Sequence, residues 1–114
     1  MNPLIRRCII SAIAFLAAAA VWAAPARADA VRLLVNTADD HDDGVCDNVD
    51  CTLREAIRTA NDDGMDDQIA FDLPAPHLIT ISSLLPVLTE DGTVIDGTTD
   101  PDYRTEPVVV LAGD

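Results

Sequence analysis

The stretch Cys46–Asn61, CDNVDCTLREAIRTAN, is where the chain commits itself to a fold. Thr52-Leu53-Arg54-Glu55 has the form of a capping box: the Thr52 hydroxyl accepts from the Glu55 amide, and the Glu55 carboxylate reaches back to the Thr52 amide. A cap of this kind contributes ~1 kcal/mol. Asp50 adds negative charge where the positive end of the helix dipole favours it. Leu53, Ala56, Ile57 and Ala60 recur at helical spacing and make one narrow apolar face. Arg54, Glu55 and Arg58 fall on the opposite face, with Glu55 and Arg58 spaced to pair. Asn61 and Gly64 supply stop signals. A helix over Leu53–Asn61 is too short to persist alone in water, so its apolar face must dock on something.

Upstream, residues 1–28 read as a secretory signal peptide. Arg6 and Arg7 are its basic start, Ile9–Val21 is an apolar run broken only by Ser11, and Ala26-Arg27-Ala28 is an A-x-A cleavage site. An uncleaved membrane anchor is the alternative, disfavoured by the Ala-rich run and its small-residue ending. Arg6-Arg7 also loosely resembles a twin-arginine signal. Cleavage removes three of the seven basic residues and none of the 20 acidic ones, from a chain that already carries a formal charge of −13 and has no Lys. Such a surface argues against nucleic acid and against anionic lipid, and no stable membrane insertion is expected once the signal is gone. The expected location is outside the cell or on its surface, with the periplasm as a variant.

Export bears on the cysteines. Cys46 and Cys51 remain after cleavage, and an oxidising compartment favours a disulfide between them. A metal pair or a redox pair is the alternative, but the spacing lacks the two-residue gap of redox motifs. The closed loop is short, so the bond is expected to be worth only ~2 kcal/mol; its main use is to deliver Thr52 to the N-cap.

Between Val31–Val35, which reads as a strand, and the helix lies a loop dense in Asp. Taking Asp39 as position 1 of a calcium loop places His41, Asp43, Gly44, Asp47 and Asp50 at positions 3, 5, 6, 9 and 12. Asp39, Asp43, Asp47 and Asp50 are therefore candidate calcium ligands. His41 is a poor calcium ligand, Asp50 replaces the usual bidentate Glu, and no helix precedes the loop. The competing reading is a solvated loop whose aspartates make Asx turns.

After Asp62 come short apolar runs separated by turn formers: Gln68–Asp72, His77–Ile81, Leu84–Leu88, Thr93–Asp96 and Pro107–Leu111. Pro86 restricts the third to an edge or a corner. Short strands with frequent corners suit either a coiled solenoid or a small sandwich. Asp96, Asp100, Asp102 and Arg104 are close enough in sequence to be weighed as a carboxylate site, and equally well form a turn-rich corner. Phe71 and Tyr103 are the only aromatic residues after the signal, too few for a sugar-stacking platform.

Cys51-Thr52-Leu53-Arg54-Glu55-Ala56-Ile57 closely resembles the CSLREA motif, with Thr52 in place of its Ser. The likeness extends to Val35–Asp40, Asp67–Pro74 and Val94–Thr99. That motif marks the N-terminal region of secreted bacterial proteins that resemble right-handed parallel β-helices. The resemblance implies a mainly β, pectin-lyase-like fold: a cap over residues 29–66 and the first, incomplete coils of a parallel β-helix over 67–114, as in the beginning of a longer protein. The resemblance supplies neither an activity nor a metal; taken with the capped helix, it leads to the expectation of a non-catalytic capping module of a surface or extracellular protein, with no cofactor or with calcium in the Asp-rich loop. Two alternatives accompany it, the N-terminal part of a carbohydrate-active lyase or hydrolase, and a calcium-dependent adhesion module with a cell-surface or polysaccharide ligand.

Overall fold

A computed structural model describes residues 30–114, so the expected signal segment lies outside the described residues. The elements run in the order β1 (Val31–Val35), α1 (Leu53–Asp63), β2 (Asp67–Phe71), β3 (Leu78–Ile81), β4 (Val94–Ile95), a 3-10 turn at Gly97–Thr99, and β5 (Val110–Gly113). β1, β2 and β4 form one parallel sheet with β2 in the middle, and β3 and β5 form a second parallel pair. The first ladder is in register from Val31 opposite Asp67 to Val35 opposite Phe71. It is extended by the Asp72 amide donating to the Val35 carbonyl at 2.9 Å.

Each element follows from its residues. β1 alternates, turning Leu33 and Val35 inward. β2, flanked on both edges, buries Ile69, Ala70 and Phe71 in succession, as a central parallel strand does. α1 lays Leu53, Ala56, Ile57 and Ala60 against β1 and β2, and Gly64 ends it in the left-handed conformation at φ 68°. Leu73 and Ile79 complete a core in which every large apolar side chain is at most 7% exposed. Burial of a Leu or Ile side chain is worth about 1.5–3 kcal/mol, so this cluster carries most of the stability.

The expected fold class is corrected here. Strand accounts for 24% and helix for 16% of the described residues, in two small sheets of three and two strands. Among the described residues, no sheet closes or winds into a solenoid, so the mainly β start of a pectin-lyase-like parallel β-helix is not what they build. The physical reason lies in the connections. Leu84–Leu88 forms no strand, because Pro86 has no amide to donate and the segment is instead held by side chains of α1. β4 pairs over only two residues before Asp96 turns the chain into its 3-10 turn.

Two local expectations change as well. Glu55 does not pair with Arg58 on an exposed face: it is 1% exposed, and Arg58 pairs with Asp42 at 2.6 Å. The helix runs two residues past Asn61, which instead holds the Val87–Thr89 segment, its side chain bonding the Val87 carbonyl at 2.8 Å and the Thr89 amide at 2.9 Å.

Candidate functional site

Most of the polar chemistry converges where the Asp-rich loop meets the start of α1. Cys46 and Cys51 are joined by a disulfide, with Cys51 fully buried. Asn36, at the end of β1, receives the Cys51 amide on its side-chain oxygen at 2.8 Å and donates to the Asp47 carbonyl at 3.2 Å. The loop is thus pinned to the strand it leaves. Asp47 accepts from the amides of Val49 and Asp50, at 2.7 and 2.9 Å, and these two donors hold its carboxyl below the ordinary range.

Glu55 is the hinge pin of the junction. Thr52 Oγ1 accepts from the Glu55 amide at 3.2 Å, and Glu55 Oε2 accepts from the Thr52 amide at 2.8 Å, closing the capping box. Its other oxygen, Oε1, accepts from the Asp43 amide at 2.8 Å, so one buried carboxylate satisfies backbone donors from both the helix and the loop. The Thr52 hydroxyl also donates to the His41 carbonyl at 2.9 Å. The His41 ring sits 3.0 Å from Asp50 and 3.7 Å from Glu55. Loss of surrounding water works against its protonation, but the carboxylates of Asp50, Glu55 and Asp39 outweigh it and raise its pKa.

Beside this junction, Asp40 and Arg54 form a second knot. Arg54 donates to both oxygens of Asp40 at 2.8–3.1 Å, and to the carbonyls of Ser83 and Leu84 at 3.0 and 2.8 Å. Asp40 Oδ2 receives the Ser82 amide and hydroxyl, both at 2.8 Å. The hydrogen-bonded Arg54 guanidinium, followed by the Ser82 donors, overrides partial burial and pulls Asp40 from 3.8 to about 2.

The four candidate calcium ligands are spread along the loop, each with a local task. Asp43 Oδ1 caps the Val45 amide, Asp47 makes its turn, Asp50 bonds Thr37 and His41, and Asp39 lies 3.9 Å from the His41 ring. Two other groups bring three ligand atoms within 4.8 Å of one another and can hold a metal ion: His41, Asp43 and Glu55, and His77, Asp100 and Asp102. The first shares only Asp43 with the sequence-derived set. In the second, His77 lies 3.0 Å from Asp102 and 3.5 Å from Asp100. The buried Asp100 also accepts from the amides of Leu73 and Asp102.

That second group was out of reach of sequence reading, because His77 and Asp102 are brought together by chain folding across 25 residues. Asp96 and Arg104, weighed with Asp100 and Asp102, do corner work: Asp96 caps the Thr98 amide, and Arg104 donates to the carbonyls of Pro101 and Tyr103.

Asp43 caps the Val45 amide and also belongs to the His41–Asp43–Glu55 group, so Asp43→Ala is expected to cost little stability and to weaken any metal binding at that group. Isothermal titration of zinc into wild type and variant checks this: equal heats would show that the group holds no metal through Asp43.

Shallow cavities open among the described residues. One, about 380 Å³, runs along Ile81–Leu85 beside Gly113; another, about 250 Å³, lies between Gly97, Tyr103 and Val109. Neither is lined by members of the His–carboxylate groups. Among the described residues no helix is long and apolar enough to cross a membrane. No protein-family model matches the chain, and neither a curated protein nor a solved structure matches it.

Proposed function

We propose that this chain is a non-catalytic structural module of an exported protein, in which a disulfide-tied loop and its helix form a lid over the β1–β2 end of a small parallel sheet. The observation that carries the reading is the Glu55 carboxylate. It is 1% exposed, and each of its oxygens accepts from a backbone amide, Thr52 on one side and Asp43 on the other. A buried carboxylate hydrogen-bonded on both oxygens favours one geometry, because rearrangement strips it of those donors. The Asp40–Arg54 ion pair ties the same lid to the Ser82–Leu84 segment. The expected signal peptide and the resemblance to the CSLREA motif support export, as does the disulfide.

A lid that seals the sheet opens with it. Native-state hydrogen exchange should therefore find α1 and β2 amides opening with the same free energy. If α1 opens well below β2, the helix is an appendage and the reading fails. Replacing both cysteines by Ser is expected to remove about 2 kcal/mol, read from a denaturant midpoint, while unfolding stays cooperative.

A further inference from the structure

We propose that Asp67, together with Asp63 and the Thr93 hydroxyl, forms a binding site for a hard divalent cation, with calcium as the fitting ion. Asp67 opens β2 and is 2% exposed, yet neither of its carboxylate oxygens has a hydrogen-bond partner. Thr93 Oγ1 is buried and unpartnered in the same way.

The two residues belong together. Gln68 is the register partner of Val94, so Asp67 and Thr93 each stand one residue before the first paired rung of adjoining chain segments. Continued back one residue, that register sets the two side chains on the same side of chains about 4.8 Å apart. The nearest charges make matters worse for a bare carboxylate. Burial first, then the charge of Asp63 and a hydrogen bond with its carboxylate that Asp67 can make only when protonated, and last the charge of Asp66, push the Asp67 pKa upward. Asp63 is the last residue of α1, where the helix dipole is negative, and the last turn carries no basic residue to offset it. From above, the turn at Gly92 folds down so closely on Asp66 that an added Cβ would collide with its carboxylate.

A buried carboxylate without donors costs several kcal/mol unless it is paired, protonated or bound to a metal. No salt bridge reaches Asp67 among the described residues. The available donors are carboxylate and hydroxyl oxygens with no nitrogen or sulfur, which suits calcium; zinc would prefer the histidine-containing groups. Magnesium demands a stricter octahedron than a strand rung and a helix end supply. The unpartnered oxygens of Asp67 and Thr93 separate this place from the Asp-rich loop, whose carboxylates face backbone amides, Thr37, His41 and arginine side chains.

The test is calorimetric titration of calcium into the oxidised, metal-stripped chain at neutral pH, with thermal melts in parallel. Wild type is expected to show saturable binding and a calcium-dependent rise in Tm. Asp67→Asn keeps the shape and removes the charge; it should weaken binding by about tenfold or more and abolish the rise. Thr93→Val should weaken binding by less. Absence of saturable binding at millimolar calcium overturns the proposal and leaves Asp67 as a buried, protonated acid. Wild-type affinity in Asp67→Asn overturns it too. Should that variant fail to fold, Thr93→Val decides, unaltered affinity counting against the site.

Discussion

Replacing Arg54 by Met is expected to destabilise the protein by about 3 kcal/mol, the low end of what removing one partner from a buried, hydrogen-bonded ion pair costs. The side chains of Arg54 and Asp40 are 11% and 8% exposed, so water takes the place of the missing group only in part. The loss has two parts. Asp40 keeps the Ser82 donors but loses the guanidinium, and the carbonyls of Ser83 and Leu84 lose theirs. Denaturant unfolding reads the sum, and a cycle with Asp40→Asn isolates the pairwise coupling. A midpoint unmoved by Arg54→Met would show that the Ser82–Leu84 segment is held by other means.

The same pair sets an acid limit. The folded-state pKa of Asp40 lies below its ordinary value, so ionised Asp40 favours the folded chain. The contribution is present in full above about pH 4 and is lost as pH falls through about 2. Wild type should lose stability across that window, and Arg54→Met should lose less, because Asp40 then titrates closer to its unfolded value. Equal acid profiles would refute the assignment.

Glu55→Ala carries the second large effect, about 3–5 kcal/mol. It removes at once the acceptors of the Thr52 and Asp43 amides and the side of the capping box that faces back along the chain. An unsatisfied buried donor costs about 1–3 kcal/mol, and the Thr52 site is fully buried. Glu55→Gln should fall between alanine and wild type, because one amide oxygen remains while the other position presents an NH₂ to a backbone donor. Thermal melts rank the three proteins. Amide exchange at Asp43 and Thr52 should rise in Glu55→Ala before exchange at Ile69 does; unchanged exchange at both would contradict the double role.

The role of Glu55 also marks how far the sequence reaches. Its place in a capping box is a contact across three residues, dictated by helix geometry. Its bond to Asp43 spans 12 residues and depends on the path of the loop, which no periodicity records. The expected Glu55–Arg58 pair failed for the same reason. Helical spacing makes them neighbours, but burial of one took it out of the other's reach and left Arg58 to Asp42. The fold class was misread at a still longer range. Strand runs and corners are visible in the sequence, whereas sheet size depends on which runs find partners, and Leu84–Leu88 finds side chains instead of a strand.

By itself, then, the amino-acid order determined what is local. The β1 strand, the capped helix with its apolar face, the left-handed stop at Gly64 and the short Cys46–Cys51 link all rest on interactions within a few residues. Only the tertiary structure decided which carboxylates are bound and which are stranded. Asp40 meets Arg54 across 14 residues and Ser82 across 42 and is held well below the usual carboxylate range, while Asp67, in an equally acidic stretch, is buried without a donor. Charge and spacing are alike in the two cases; what differs is the partner that chain folding brings, and in a water-poor interior that partner sets the chemistry.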